Sequence, residues 1–413
     1  MNKLFTSPYL RRFIQPALII TAIVSFIQFT ITYGIIVGLE KQTLDFPSFY
    51  WASDVLFNHN ISPYDVDYIQ KYTGLAVFPF AYAPPSIIFF YPFSLLNYDS
   101  ALILHLIMNH IFIIIFILLL NKIFRYKILS HQSLLLIIMI YNSYPMMQNV
   151  YFGQINIFII VFLLLFVICE HDYPVLSSIM LSFAIIIKLY PIIILLILLI
   201  SKKYKIFINT IISIVTISII SAITIPKFVW KDWILDIVPN GGYGKSPKGF
   251  SDPSYSYNKS FNGLFSRIFT KQQDAYQLMD YPLLAKIFTY SICILLCGIT
   301  FFVVYKYLND NQAIKKIVLT TMPLLFMIAP VSWNLHLITL YPTIIYLFDT
   351  YYHKFMKKIN IGFILIILTI FAFSSQSDLD ISLFFVFMLW VMMLEVLIET
   401  TRSKHDLNVI LET

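Results

Sequence analysis

Three ionisable residues lie at the edges of apolar segments, where their types could support chemistry at a membrane surface. Asp45 follows the first apolar segment and could accept a proton. It also precedes a Phe-Pro step that suits a helix start, so it could be an N-cap residue, and the two roles are compatible. Lys188 lies among isoleucine and leucine residues and needs a partner or a wet cavity, unless its ammonium group reaches the polar interface. His336 follows Trp333 at the edge of another apolar segment, where histidines are uncommon and often functional.

The composition places these residues in a membrane protein. The chain has 413 residues, of which 59% are hydrophobic and 12% are charged, and its mean hydropathy is +0.81. A soluble core cannot absorb that much apolar surface, and long runs that are apolar on every side favour helices over barrel strands. We therefore predict an all-α polytopic membrane protein. The net charge of +7 indicates anchoring by cytoplasmic loops instead of nucleic-acid binding.

The distribution of lysine and arginine predicts the topology. Lys3, Arg11 and Arg12 precede the first span and place the N-terminus in the cytoplasm. Continuing this rule gives about twelve transmembrane helices, both termini in the cytoplasm and two long outer loops at residues 40–98 and 226–281. The first loop contains a proline-rich stretch at residues 78–96, which cannot form one continuous helix because each proline removes a backbone donor.

The apolar stretch at residues 175–200 requires a break. A single span would deliver Lys202, Lys203 and Lys205 to the outside, against the charge rule. Pro191 disfavours helical geometry in the residue before it. We therefore predict a hairpin that turns at Lys188 and places this side chain in a polar cavity on the outer face.

Several short motifs, taken in order, resemble the polyprenol-phosphate-mannose-dependent α-mannosyltransferases, once known as a domain of unknown function. The resemblance covers about residues 13–346, and this family has the GT-C fold. Two positions depart from the family pattern: residues 58–61 replace a loop that often contains glycine, and Lys259 stands where glutamine is common. The motifs are the acid Asp45 with Tyr50 behind it, Ser62-Pro63-Tyr64, Tyr82-Ala83-Pro84-Pro85, Gly153-Gln154-Ile155-Asn156, Lys188-Leu189-Tyr190-Pro191, Asn258-Lys259-Ser260 and Ser332-Trp333-Asn334-Leu335-His336.

The resemblance implies a membrane enzyme that takes mannose or a related hexose from a polyprenyl-phosphate donor. The acceptor would be a lipid-linked or cell-envelope glycan on the extracytoplasmic face. Asp45 takes the place of the general base, and His336 takes a place near the donor phosphate or the acceptor. Direct displacement would invert the anomeric carbon and would need no second catalytic carboxylate.

The remaining candidates follow from what such a reaction must bind. Arginine suits bidentate phosphate contact, although a loop cation is ordinarily just exposed. Asn156 could instead cap the next helix, and the aromatic residues could instead form an interfacial belt. The candidate donor-phosphate ligands are Lys188, Tyr190, Lys259 and Arg267. The candidate sugar or acceptor ligands are Tyr50, Asp54, Tyr64, Tyr82, Gln154, Asn156, Asn258 and Trp333.

The expected organisation is a catalytic GT-C domain at residues 1–350, followed by a peripheral helix pair and cytoplasmic tail at residues 351–413. The expected location is a bacterial inner (plasma) membrane. We expect no cofactor, because the polyprenyl-phosphate sugar is a co-substrate, and no metal. The Asp-x-Asp pattern at residues 65–67 resembles a metal motif of nucleotide-sugar transferases, but no nucleotide-binding α/β domain accompanies it.

A transporter or flippase of a lipid-linked or polar substrate is the alternative class. Transporters usually carry internal repeats and polar groups in mid-span. The polar clusters of this chain instead concentrate in outer loops and at the outer ends of spans, which favours chemistry on one face.

Overall fold

The computed structural model describes residues 8–41, 43–271, 278–308, 313–355 and 381–412, and within these ranges every regular element is helical. This confirms the predicted all-α polytopic membrane fold. The α-helices are α1 (Pro8–Phe29), α2 (Val37–Glu40), α3 (Phe46–His59), α4 (Val66–Thr73), α5 (Pro84–Ile87), α6 (Tyr91–Ser94), α7 (Tyr98–Phe124), α8 (His131–Tyr141), α9 (Tyr144–Tyr151), α10 (Asn156–Cys169), α11 (Pro174–Ile187), α12 (Ile193–Ile200), α13 (Tyr204–Thr224), α14 (Lys227–Asp232), α15 (Val238–Asn240), α16 (Phe261–Phe269), α17 (Pro282–Tyr307), α18 (Ala313–Ile328), α19 (Tyr341–Phe355) and α20 (Ile381–Glu412). Short π-helical turns (Thr30–Ile36 and Trp233–Ile237) and 3-10 turns (Tyr190–Ile192 and Asn334–Leu340) join some of them.

Some of these helices are long and apolar enough to cross a membrane. By length and composition there are five among the described residues, or six if the bent pair α9 and α10 makes one span. Other apolar helices are shorter, such as α8 and α11. A count of about twelve would depend on such short and broken helices, and part of the helix pair predicted within residues 351–413 lies outside the described residues. The count therefore stays a prediction. The long candidates are Phe13–Glu40, Tyr98–Phe124, Tyr204–Thr224, Pro282–Tyr307 and Ile381–Glu399.

Helix α10 lies at the centre of the described bundle. Most of its side chains are buried, and it packs against α7, α11 and the 3-10 turn Asn334–Leu340. Helix α9 meets it at an angle of 117°. The four residues between α9 and α10 are therefore held at the end of a largely buried helix, which gives them a fixed position.

The predicted break at Lys188 is confirmed. Helix α11 ends at Ile187, and Lys188 has an extended backbone. Ser178 Oγ donates to the carbonyl of Ile206 at 3.4 Å and Ser182 Oγ to that of Thr210 at 3.2 Å. Because both contacts advance in the same direction, α11 and α13 are parallel, and the chain between them must reverse. The segment after Lys188 therefore returns as the second arm of a hairpin.

The proline-rich stretch of the first loop was predicted not to form one continuous helix, and this is confirmed. It forms the single turns α5 and α6, each with proline in its first two positions. Near the end of the chain, α20 packs against α17 and α18, and Trp390 Nε1 donates to Thr300 Oγ1 at 2.9 Å. The helix expected to pair with α20 lies outside the described residues, so the peripheral helix pair stays a prediction.

Candidate active site

The carboxylate of Asp45 is held by a distant part of the chain. Asp45 occupies the N-cap position of α3, but its side chain makes no capping hydrogen bond. Instead, Gln154 Nε2 donates to Asp45 Oδ2 at 2.8 Å. The backbone N–H of Asp45 donates to the carbonyl of Phe152 at 2.8 Å. The N-cap alternative is therefore right for the backbone alone, and the carboxylate is directed elsewhere.

Burial makes this carboxylate more basic. Asp45 is about 9% exposed, and this burial raises the pKa of its carboxyl group to about 6, because an ion is poorly solvated there. The hydrogen bond from Gln154 and the charge of Lys188 oppose the rise in pKa. A carboxyl group with this pKa is ionised near neutral pH and is more basic than an exposed aspartate.

A glycine and a histidine fix the turn that carries Gln154. Gly153 has a φ of +69°, and a Cβ at this position would lie 2.7 Å from Cβ of Phe46. His105 is buried. Its Nε2 donates to the Gly153 carbonyl at 2.9 Å, and its ring stacks on Phe46 at 4.6 Å. Since Phe46 follows Asp45 and Gly153 precedes Gln154, these contacts set the distance between the carboxylate and its hydrogen-bond donor.

Lys188 has two side-chain partners from other elements. Its Nζ donates to Asn156 Oδ1 at 2.7 Å and lies 3.1 Å from His336 Nε2. The same ammonium group lies 5.8 Å from the ring centroid of Tyr82. Nδ1 of His336 accepts from the backbone N–H of Trp333 at 2.9 Å, which orients the imidazole towards the lysine. Asn156 is the first residue of α10, and its side chain also accepts a hydrogen bond from Lys188.

One cavity of about 330 Å³ brings these groups together. Its wall includes residues that the sequence did not single out, Lys245 and Ser246, which follow the glycine turn at residues 241–244. A lysine directly after a glycine-rich turn was the available signal. The predicted site residues that line this cavity are Asp45, Tyr82, Gln154, Lys188, Tyr190, Trp333 and His336.

Three buried polar atoms near Asp45 and Lys188 have no hydrogen-bond partner within the described residues. They are Gln154 Oε1, Asn156 Nδ2 and Tyr190 Oη. A buried polar atom without a partner costs about 1–3 kcal/mol, and such atoms are usually satisfied in a folded protein. A polar ligand in this region could therefore bind an amide oxygen (Gln154 Oε1), an amide nitrogen (Asn156 Nδ2) and a hydroxyl group (Tyr190 Oη).

Three predicted ligands from the second long loop do not line the cavity. Asn258 ties the loop to the segment before Trp333: its Nδ2 donates to the Pro330 carbonyl at 3.0 Å, and its Oδ1 accepts from the Ser332 N–H at 3.1 Å. Arg267 is buried and donates to the carbonyls of Asn258 and Tyr255 at 3.0 and 3.1 Å. Lys259 is buried too, and its backbone N–H donates to Ser332. These contacts fix the loop, and none of the three residues lines the cavity.

Three further candidates from the first loop also lie off the cavity wall. Tyr50 Oη donates to the carbonyl of Leu96 at 2.8 Å. Asp54 Oδ1 accepts from Asn58 at 2.8 Å, and its Oδ2 lies 3.8 Å from Nε2 of His59. Tyr64 Oη donates to the carbonyl of Tyr82 at 2.8 Å. Tyr64 therefore supports a cavity residue without lining the cavity itself.

The described residues contain no group of three His, Cys, Asp or Glu side chains that could hold a metal ion. The three cysteines are free, and the Asp65 side chain accepts from Tyr68 N at the start of α4. The expectation of a reaction without metal or cofactor stays a prediction.

A sequence model of glycosyltransferase family 87 matches residues 80–330, more than half of the chain. Members of this family are polyprenol-phosphate-mannose-dependent mannosyltransferases, which confirms the resemblance seen in the motifs. No curated protein and no solved structure matches the chain significantly. The matched range contains Gln154, Asn156 and Lys188, whereas Asp45 and His336 lie outside it.

Proposed function

The chain belongs to glycosyltransferase family 87 and is a membrane glycosyltransferase, and we propose that it transfers mannose from a polyprenyl-phosphate donor with Asp45 as the general base. One observation carries this proposal. A buried carboxylate with a raised pKa lines the same cavity as a lysine that donates to Asn156 and lies 3.1 Å from Nε2 of His336. The arrangement supplies a base at one wall and a cation at another.

In the proposed step, the acceptor hydroxyl oxygen attacks the anomeric carbon of the donor. Its proton passes to the carboxylate of Asp45 as the new C–O bond forms. The bond between the anomeric carbon and the phosphate oxygen breaks, and its electron pair leaves with polyprenyl phosphate. Attack opposite the leaving group inverts the anomeric carbon. No second catalytic carboxylate takes part, and Gln154 keeps the Asp45 carboxylate in place.

The leaving phosphate gains negative charge in this step, because a phosphodiester monoanion becomes a phosphate monoester. A cation that meets this charge stabilises the transition state more than the ground state. Lys188 and His336 are the residues proposed to meet it, with Asn156 and Tyr190 as hydrogen-bonding partners. Lys245, which is exposed at the cavity wall, is a second cation within reach of a phosphate.

The same cavity offers a path for the donor lipid. Leu189 and Ile237 line it, and Leu189 is 49% exposed. Ile234 and Leu235, in the same π-helical turn as Ile237, are exposed as well. An apolar rim next to a cationic site suits an anionic lipid whose head enters the protein and whose chain stays in the bilayer.

We also propose, from the charge distribution, that this site faces the extracytoplasmic side of a bacterial inner membrane and that both termini are cytoplasmic. A glycan or glycolipid acceptor follows from the family's reaction. Residues 1–350 would then contain the whole catalytic unit.

The test uses the purified full-length chain in nanodiscs with a labelled short-chain polyprenyl-phosphate mannose. Incubation with membranes that lack the native protein should transfer label to a glycan or glycolipid. The Asp45→Asn variant should bind the labelled donor and transfer little. Undiminished transfer by this variant would contradict the assignment of Asp45 as the general base. Movement of an intact donor across vesicles, without any glycosyl product, would favour a flippase.

A further inference from the structure

A second cavity lies beside the first and has no role in the donor site proposed above. It has a volume of about 610 Å³, within the range of about 300–1,000 Å³ that small-molecule sites occupy. Its wall comes from the end of the first span, from α9 and from the second long loop. The two cavities share three lining residues, Phe78, Ser251 and Trp333.

Asp45 belongs to the wall between the two cavities. Leu44 lines the second cavity, whereas Asp45 lines the first. Phe152 lines the second cavity, and its carbonyl accepts from the backbone N–H of Asp45 at 2.8 Å. The second cavity therefore lies next to Asp45, and it meets the first cavity at Phe78, Ser251 and Trp333, the three residues that line both.

The two cavities differ in charge. The first contains Lys188, Lys245, His336 and the carboxylate of Asp45. Among the described residues that line the second, Glu40 alone carries a formal charge, and it is exposed. An anion would find no cation on this wall, so the second cavity does not suit a phosphate group.

The second cavity instead has the groups that bind an uncharged sugar. Gln148 is buried, and its Nε2 donates to Tyr144 Oη at 2.6 Å, so an amide and a hydroxyl occur together on the wall. Tyr257 forms an aromatic row with Tyr255 and Trp333, at centroid distances of 5.1 and 6.4 Å. This row leads from the second cavity to the shared wall, and flat apolar rings beside hydrogen-bonding groups match a sugar ring, which has both kinds of surface.

We propose that the second cavity binds the acceptor as the uncharged saccharide end of a glycan or glycolipid and delivers one of its hydroxyls to Asp45 at the shared wall. This inference rests on the proposed function, because it assumes that the donor phosphate occupies the first cavity. It adds a restriction on the acceptor: its reacting end carries no phosphate. The donor and the acceptor then approach Asp45 from different sides.

The experiment separates donor binding from transfer. The purified full-length chain in nanodiscs is tested for binding of labelled farnesyl-phosphate mannose, and then for transfer of the label to membranes that lack the native protein. Tyr257→Ala and Gln148→Leu should lower transfer at least tenfold while donor binding changes less than twofold. Lys188→Gln should instead lower donor binding at least tenfold. Tyr173→Ala, which removes an exposed tyrosine outside both cavities, is the matched control and should behave like the wild type.

Each result decides between the assignments. If Tyr257→Ala and Gln148→Leu weaken donor binding, the second cavity holds part of the donor and the inference is wrong. Unchanged transfer by both variants would also overturn it. A wild-type chain that neither binds the donor nor labels any acceptor overturns the proposed function and this inference together. Extraction of the labelled product with organic solvent distinguishes a glycolipid acceptor from a polysaccharide, and phosphate at the mannosylated end of either product would contradict the restriction.

Discussion

Gln154 and Asp45 are separated by 109 residues in sequence, yet the amide of the first donates to the carboxylate of the second at 2.8 Å. The contact joins the start of α3 to the bend between α9 and α10. Because the bend sits at the start of α10, most of whose side chains are buried, the carboxylate is positioned by the core of the bundle. The loop that contains Asp45 would otherwise leave it free to move. The position of the carboxylate can therefore be changed by substitutions near Asp45 or by substitutions near Gln154.

Replacing Asp45 with asparagine should remove proton transfer and keep the shape of the site. General-base catalysis is worth about 10²- to 10⁴-fold, so we expect kcat to fall by roughly that factor while donor binding remains. Asp54→Asn is the matched control, because Asp54 is a buried acid on the same helix that lines neither cavity. Equal losses in the two variants would show that the effect comes from α3 and not from the base.

The pH dependence of the reaction should report the environment of Asp45. The base must be ionised, and its pKa is raised to about 6, so kcat/KM should rise with pH through about 6 and level off above it. Gln154→Leu removes a hydrogen bond that lowers this pKa, so the rising limb should move to higher pH. The measurement is kcat/KM from pH 5 to 8 for both proteins. A limb that stays in place in Gln154→Leu would mean that another group controls it.

Replacing Lys188 with methionine should weaken binding of the donor phosphate. A hydrogen bond to a charged group contributes about 1.5–3 kcal/mol, which corresponds to roughly a ten- to hundredfold loss of affinity. Lys259→Met is the comparison, because this buried lysine lies off the cavity wall. It should lower the thermal unfolding midpoint and leave the affinity of the folded protein for the donor nearly unchanged. The opposite pattern would move the phosphate site to the second long loop.

The sequence predicted the parts of this site that leave a local signal. Lys188 stands out because a charge in an apolar run needs a cavity, and Pro191 locates the break beside it. Asp45 was found from its position after the first span. Its hydrogen bond to Gln154 could not be read from spacing, since it depends on how α9 meets α10. The helical membrane fold followed from the composition and from the long apolar runs, because hydropathy is a property of whole segments.

The same reasoning also selected residues that do not line the cavity, because their chemistry suits two purposes. Arg267 and Lys259 have the right charge for a phosphate, yet both are buried away from the cavity wall. Asn258 has the right amide for a sugar, yet both ends of this amide bond to backbone at Pro330 and Ser332. A polar residue that fixes a loop and one that binds a ligand look alike in sequence. Only the fold tells them apart, because it shows which other segment of the chain each residue contacts.

Replacing Gly153 with alanine should disturb catalysis through the backbone that carries Gln154. The φ of +69° at this position disfavours a residue with a side chain by about 1–2 kcal/mol. The new Cβ would also lie 2.7 Å from Cβ of Phe46, so the two segments must move apart. That movement separates Gln154 from Asp45, and a displacement of about 1 Å can cost roughly 10²-fold in rate. We expect kcat to fall by about this factor. Donor binding should change less, because Lys188 lies on another element and meets this bend only through Asn156.

The control for this variant is Gly242→Ala, since a Cβ there meets nothing within 4 Å and its φ is not in the left-handed region. It should keep nearly the wild-type kcat and unfolding midpoint. If Gly153→Ala were as active as Gly242→Ala, the contact between Phe46 and Gly153 would not set the position of the base. If donor binding fell in parallel with kcat, the bend between α9 and α10 would position the phosphate site as well. A His105→Phe variant then separates the two contacts, because it keeps an aromatic ring against Phe46 and loses the hydrogen bond to the Gly153 carbonyl, together with the 3.0 Å contact of Nε2 with Asn109 Nδ2.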